Sequence, residues 1–580
     1  MSTKHFFPST EGVVILGLES LVSRNSHLSL DAAHKVVFNK LHSRSNVALI
    51  SGGGSGHEPA WSGYVGNGML SASVSGEVFS SPATSQVLAA MKHVPSDKGI
   101  ILAITNYTGD NLHFGLAKEK AHAGGQKVEI LRLTDDAALG RSQSTNTGRR
   151  GLAGNVLVLK LVGHAASQEE SFDTCIRLGE ATNSNLVTVG ASLDHCRIPG
   201  KASDKDIPKN TIFLGMGIHN EPGLREVTPI PSAQDVVKEM LKYALDPSDP
   251  DRSFVPFNSN DTTVLLINNF GGISNFELEA LTSVTKKMLA TEWHLESKRV
   301  YVQSFETSLN APGWSITILN VSGVTRQCRI SEEDLLTMLD ADTTAPAWPR
   351  CGYTHAASVE NSPLAEPQST PRSAAGDTDH LAKVVPLKLL SSLRAGCKAT
   401  LALEPQITKW DSFLGDGDCG EAVSLICNGI LRVLDENLTT ELPLLTAIED
   451  VISEVGGTLA ALVAIFLTAF TRLLGESPGN VGASLKGALE TLFKYTNARK
   501  GNKTVVSALE PFCDEFEQGG LHKAAKSAMQ GAQGTKAEAG SFGRAAYVAG
   551  SAKEDVPDPG AMALATFLEA FANEFESGTG

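Results

Sequence analysis

The hydrophobic pattern of this chain changes period once, and that change limits the folds open to it. Before residue 340, short apolar runs rich in β-branched residues recur at 47–51, 100–105, 128–133, 186–190, 211–215, 262–268, 300–304 and 315–320. Such runs predict buried strands, and stretches of helical period at 233–245 and 275–293 predict helices packed between them. Strand–helix alternation of this kind builds α/β layers. From residue 381 the strand signal is gone. Apolar residues recur there at spacings of three and four, through 384–403, 442–474, 483–495 and 561–575, which predicts an all-helical region. Residues 343–380 are rich in Ser, Pro, Ala and Glu and read as a linker. The expected organisation is an α/β N-terminal domain over 1–342, a linker over 343–380 and an all-α domain over 381–580.

Three of the expected strands release glycine-rich turns that carry ionisable side chains. The first is followed by GGGSGHEP (52–59), which places His57 at the lip of a turn. Dense glycine lets backbone turn tightly and approach a ligand closely, although a plain tight turn with a solvated histidine has the same pattern. The second is followed by NYTGD (106–110), which sets Asp110 at a strand's carboxyl end, where open α/β sheets bind ligands. Asp110 as a simple helix cap is the alternative. The third leads into GMGIHNEPG (215–223) and His219. Convergence of His, Asp and His at strand ends suits nucleophilic or proton-transfer chemistry better than any one of them alone.

The helical region has its own acidic loop. Asp411, Asp416 and Asp418 fall within eight positions, the last two inside GDGDCG (415–420). Carboxylates at a helix start suit Mg²⁺ shared with phosphates, and a solvated acidic turn is the alternative. The loop is too short for an EF-hand and lacks its distal Glu.

Composition removes other classes. A net charge of −15 argues against nucleic acid as the main partner, because phosphate neutralisation needs clustered Lys and Arg. The eight cysteines are scattered, without CxxC or zinc-type spacing. With no signal-peptide pattern at the start and no peroxisomal signal at the end, a cytoplasmic location is expected. The apolar stretch 455–471 is closed by Arg472 at the lower limit of bilayer-spanning length, so a buried core helix and no membrane contact are expected.

The strand-end motifs, in this order, resemble the substrate domain of the dihydroxyacetone kinases. GRRGL (148–152), NNFGG (268–272) and TTAPAWP (343–349) are further similar segments. The resemblance implies that a His219 nitrogen adds to the C2 carbonyl of a small ketose, giving a covalent hemiaminal that glycerol cannot form. It implies that His57 hydrogen-bonds substrate and aids proton movement. Asp110 would accept the proton of the attacking hydroxyl, and Gly54, Ser55 and Gly56 would enclose substrate with backbone amides. Thr105 stands where the family usually has a substrate-contacting Lys. The loss of a charge-assisted donor there points to a different substrate preference or a different affinity.

The loop GDGDCG resembles the family's nucleotide domain, a barrel of helices. The resemblance implies that Asp411, Asp416 and Asp418 bind two Mg²⁺ ions that carry ATP. GGT (456–458) matches a phosphate-contacting GGTS segment, with Leu459 and Ala460 in place of Ser and Gly. GNKT (501–504) matches GDRT, and Ser507 replaces a later Asp. GRAAY (543–547) and DPG (558–560) match well. The implied nucleotide-binding residues are Asp416, Gly417, Asp418, Cys419, Thr458, Leu459, Thr504, Val505, Arg544, Asp558, Pro559 and Gly560. The implied activity is ATP-dependent phosphorylation of dihydroxyacetone by a homodimer whose two sites cross between protomers. The resemblance also implies glyceraldehyde as a candidate second substrate, and some members of the family cleave FAD to a cyclic FMN phosphate. Thr105, Leu459, Asn502 and Ser507 keep open a carbonyl-binding regulatory protein with a weakened nucleotide domain. An enzyme that turns the histidine on another small carbonyl compound is a third reading.

Overall fold

The computed structural model describes residues 4–144, 148–201, 208–221, 223–349, 386–414, 417–435, 441–538 and 556–577. The chain divides into two compact units, Met1–Asn361 and Ser362–Gly580.

The first unit opens with α1 (Val13–Arg24), β1 (Leu28–Asp31), β2 (Val36–Asn39), β3 (Ala48–Ser55), β4 (Ala72–Val78), α2 (Thr84–His93), β5 (Ile100–Thr105), α3 (Thr108–Ala123) and β6 (Val128–Leu133). These strands form one sheet in the order β1-β2-β4-β3-β5-β6, with β4, β3, β5 and β6 parallel. There follow α4 (Asn155–Ser167), α5 (Phe172–Ser184), β7 (Leu186–Ser192), β8 (Ile212–Leu214), β9 (Arg225–Val227), α6 (Ala233–Leu245), β10 (Thr263–Asn269), α7 (Asn275–Glu292), β11 (Ser297–Gln303), β12 (Gly313–Asn320), α8 (Val321–Cys328) and α9 (Glu332–Asp340). The second sheet runs β11-β10-β12-β7-β8-β9, antiparallel except between β10 and β11.

Strand periodicity assigns each side chain to a layer. Val264 and Leu266 of β10 join Leu49 of β3 and Leu157, Val158 and Leu161 of α4 in a core between the sheets. Leu265 and Ile267 point the other way, onto Val237, Met240 and Leu241 of α6. Helices α2 and α3 cover the outer face of the first sheet through Met91, Phe114 and Ala117. Helix α4 is buried nearly throughout, and its one charged side chain, Lys160, donates to the carbonyl of Ala341 at 2.6 Å.

Three expectations change here. Strands β1, β2, β4 and β9 carry no long apolar run; β4 reads Ala-Ser-Val-Ser-Gly-Glu-Val, and β9 is largely solvent-facing. The start of the expected linker is packed instead. Ala345 and Trp348 sit in the inter-sheet core, Thr343 donates to the Asn67 carbonyl at 2.6 Å, and Gln303 donates to that of Ala347 at 2.8 Å. Two apolar side chains and satisfied backbone groups hold residues 343–348 against the first unit; 350–380 lie outside the described residues. The third change concerns the apolar helix of the second unit.

That unit consists of α10 (Leu387–Leu414), α11 (Cys419–Val433), α12 (Glu441–Ser453), α13 (Thr458–Glu476), α14 (Val481–Leu492), α15 (Val506–Gly534) and α16 (Pro559–Glu576). The expected stretch 442–474 is two helices, separated at Gly457, whose φ of +96° stops helix propagation. Helix α15 is likewise two segments meeting at Gly520 (φ 75°, ψ 179°). Helix α13 packs on α12 and α14. Only Ala460, Phe466 and Ala469 are buried in it, so the expected buried core helix is a half-covered one. It is the one helix among the described residues long and apolar enough to cross a membrane.

Candidate active site

Two histidines from different sheets meet edge to edge. His57 follows β3 through Gly56, whose φ of +101° turns the chain inward. His219 follows β8. The segment after β11 ties both turns together: Leu309 N donates to the Gly56 carbonyl at 2.8 Å, Thr307 N to that of His57 at 3.1 Å, and Ser308 Oγ to that of Ile218 at 2.6 Å. His57 Nδ1 donates to the Thr307 carbonyl at 2.7 Å, and its Nε2 lies 3.0 Å from His219 Nε2. His219 Nδ1 lies 3.0 Å from Glu221 Oε1, and His219 N donates to Glu221 Oε2 at 2.9 Å. Phe79 stacks on His57 with ring centroids 5.1 Å apart, and Tyr107 meets His219 edge-on at 4.7 Å.

Behind this pair lies a fixed charge. Arg150 donates to Asp136 Oδ2 at 2.8 Å and to the Gly215 carbonyl at 2.7 Å. A Cβ on Gly217 would stand 2.0 Å from Glu221 Oε2 and 2.6 Å from Arg150 Nη1, so a larger residue there would displace the ends of those two side chains. Burial alone raises the Glu221 carboxyl, but the His219 hydrogen bonds and the charges of His219 and Arg150 bring it down to about 2. Burial pushes His57 down to about 3, and the His219 charge adds to that shift.

Asp110 completes the group. It sits in the first turn of α3, whose N-cap position is Tyr107 and has no side-chain cap, so Asp110 is not the cap the sequence left open. Its Oδ1 is buried and has no hydrogen-bond partner. Burial raises this carboxyl to about 6, against the lowering effects of Ser81 and His219. Asp110, His219 and Glu221 face a cavity of about 270 Å³, walled by Gly54, Phe79, Ser81, Tyr107, Thr108 and Gly109.

The remaining candidates of the first unit lie off this cavity. The Gly56 amide donates to Glu58 at 2.9 Å and is not available to enclose a ligand. Ser55 Oγ donates to the Gly76 carbonyl at 2.8 Å. Thr105 is buried at the end of β5 with its hydroxyl unpartnered, and it does not face the cavity. His57 is buried behind His219.

In the second unit the acidic loop joins α10 to α11. Asp411 Oδ2 accepts from the Cys419 amide at 3.0 Å, and Asp418 precedes α11. Asp416 and Arg544 lie outside the described residues, while Gly417 is described, with a φ of +85°; among the described residues no three metal-ligating side chains gather. Burial together with Asp411, Asp558 and Asp418 pushes the Cys419 thiol up to about 12. Asp558 caps α16 by accepting from Ala561 N at 2.7 Å; burial raises it to about 6, with Lys503 opposing. Carboxylate oxygens of this kind suit a hard divalent cation. Leu459 and Val505 lie against Gly560, next to Pro559: a Cβ placed on Gly560 would stand 3.1 Å from Leu459 Cδ1 and 3.7 Å from Val505 Cβ. Thr458 starts α13 after Gly457. Thr504 Oγ1 accepts from Val506 N at 3.3 Å and Ser507 Oγ from Gly501 N at 3.2 Å, so both hydroxyls shape the turn before α15.

The Dak1 domain matches residues 19–347 and the DAK2 domain residues 413–573. A dihydroxyacetone kinase from Pichia angusta is 40% identical over 611 residues, covering 99% of each chain. The chain belongs to the dihydroxyacetone kinase family. The human triokinase/FMN cyclase is 34% identical and covers 100% of both chains. The crystal structure of the dihydroxyacetone kinase from C. freundii in complex with AMP-PNP and Mg²⁺ aligns with a TM-score of 0.61 at 27% identity, covering 99% of this chain and 100% of that one. The α/β-plus-all-α architecture is that of this family.

Glu221, Phe79, Ser81, Tyr107, Arg150 and Asp136 escaped the sequence reading. Glu221 had a legible signal, standing two residues from His219 inside its motif. The pairing of Arg150 with Asp136 joins positions that only the fold brings together.

Proposed function

We propose that this chain transfers the γ-phosphoryl group of ATP to dihydroxyacetone, held as a hemiaminal on His219, and accepts glyceraldehyde as a second substrate. The observation that carries this reading is the Glu221–His219–His57 line with Asp110 opposite it on one small cavity. Glu221 orients the ring so that Nε2 is the atom offered to a carbonyl carbon. Asp110 has no competing partner on Oδ1, so it is placed to take the proton of the hydroxyl that attacks phosphorus. The first unit serves as the substrate domain and the second as the nucleotide domain. Asp411 and Asp418, with Asp416, would hold Mg²⁺, which neutralises phosphate charge and orients the γ-phosphoryl group when ATP is bound. Thr458, Leu459, Thr504, Val505, Arg544 and the Asp558–Gly560 turn would surround the nucleotide. Gly54 is the glycine of its loop that faces the substrate. The protein works in the cytoplasm as a homodimer, with α13 belonging to the helical domain and not to a membrane.

The test is ADP release by the purified full chain given Mg²⁺, ATP and dihydroxyacetone. Release that requires all three supports the kinase. A bound triose without ADP release would instead favour the carbonyl-binding regulator.

A further inference from the structure

The cavity bordered by Asp110, His219 and Glu221 has two carboxylates and no strong cation: among the described residues that wall it, none is Lys or Arg. The two acids are not equivalent. Glu221 accepts from the His219 amide at 2.9 Å and lies 3.0 Å from His219 Nδ1, with the Arg150 charge behind it. Its charge is therefore met within its own loop. Arg150 is itself bound to Asp136 at 2.8 Å, so that pair adds no net charge.

Asp110 differs, because its buried Oδ1 has no partner. It stands in the first turn of α3, whose free amides offset part of its charge. A helix N-terminus amounts to only about half an elementary charge, so the carboxylate outweighs it. His113 also acts on Asp110, but its Nδ1 lies 3.1 Å from Thr84 Oγ1 and it does not border the cavity. Burial brings the Asp110 carboxyl up to about 6, so at neutral pH it is mainly ionised.

Resting on the ketose reading above, we propose that Asp110 makes this cavity a charge filter, which admits uncharged hydroxy-carbonyl compounds and excludes 2-keto acids and phosphorylated trioses, the reaction's own product included. Phosphoryl transfer then turns an admitted ligand into an excluded one. The γ-phosphoryl group goes to the ketose oxygen, ADP is the leaving group, and the hydroxyl proton goes to Asp110 and from there to solvent. While Asp110 holds that proton it is neutral. Once the proton is gone, the anion faces the phosphate it helped to attach, and release of the product is favoured. The incoming phosphates of ATP are screened from the same carboxylate by the Mg²⁺ they carry. One like charge at about 5 Å in partly buried surroundings changes binding on the order of 10²-fold.

Dihydroxyacetone and hydroxypyruvate share the C2 carbonyl and are close in size; one has a hydroxymethyl group where the other has a carboxylate. Native mass spectrometry of the full chain titrated with each at neutral pH gives two dissociation constants, and their ratio cancels any general weakening of the site. Hydroxypyruvate is expected to bind about 10²-fold more weakly in the unmodified protein, with the gap at least about tenfold smaller in Asp110→Asn. Dihydroxyacetone phosphate is expected to displace dihydroxyacetone only at a comparable excess. Equal affinity for the neutral and the anionic compound in the unmodified chain overturns the proposal, whether or not the variant folds. A gap that Asp110→Asn leaves unchanged, with circular dichroism also unchanged, overturns it as well, because the exclusion then does not come from this charge. If neither compound forms an adduct, the ketose reading itself fails and the filter falls with it.

Discussion

At the scale of single residues the site is a set of opposed protonation preferences. Glu221 is held ionised by His219 and Arg150, while burial holds Asp110 near neutrality at about 6. Groups driven apart in this way mark acid–base roles. Asp110 acts as a base only when ionised, so kcat/KM is expected to rise as pH increases through about 6 and then level off. A profile with no limb in that range would remove Asp110 from this role. Glu221→Gln keeps the size of the side chain but loses the anion. It is expected to lower kcat/KM by about 10²–10⁴-fold, the usual range for proton-transfer groups, with unchanged folding by circular dichroism. Phe79 and Tyr107 shield the ring pair from water, which strengthens every charge interaction there.

At the scale of elements, packing explains what the sequence revealed and what it hid. Residues 100–105 and 128–133 match β5 and β6 at both ends: β5 is one buried, mostly apolar run, and β6 keeps Val128, Ile130, Leu131 and Leu133 around exposed Glu129 and Arg132. The short strand β9 is exposed and small residues dominate β4, so neither has a periodic signal to read. His57, Asp110 and His219 were legible because each sits in a compact motif at a strand end. The 305–309 segment that clamps two of them was not, since its work is done by backbone groups and one serine hydroxyl. Helix α4 also depends on a close approach invisible in a sequence: a Cβ on Gly163 would stand 2.4 Å from Met69 Cα. Gly163→Ala is expected to cost about 1–3 kcal/mol by overpacking, measured as a lower midpoint in urea at unchanged slope. An unchanged midpoint would show that α4 has room to shift.

At the scale of the molecule, the proposed ketose site and the proposed nucleotide site fall in separate compact units. They should therefore fail separately. Asp411→Asn is expected to reduce ADP release below a hundredth of the unmodified rate while a triose adduct still forms, as seen by native mass spectrometry. Loss of the adduct in that variant would mean that the helical unit helps build the ketose site. The converse variant bears on the central claim. Steady-state phosphorylation of dihydroxyacetone by His219→Ala, with Mg²⁺ and ATP saturating, measures whether the covalent hold on the carbonyl carries the reaction. The account predicts loss of the adduct and a fall in kcat/KM of at least about 10²-fold, in the range of a lost catalytic group. Turnover at the unmodified rate in His219→Ala would contradict it.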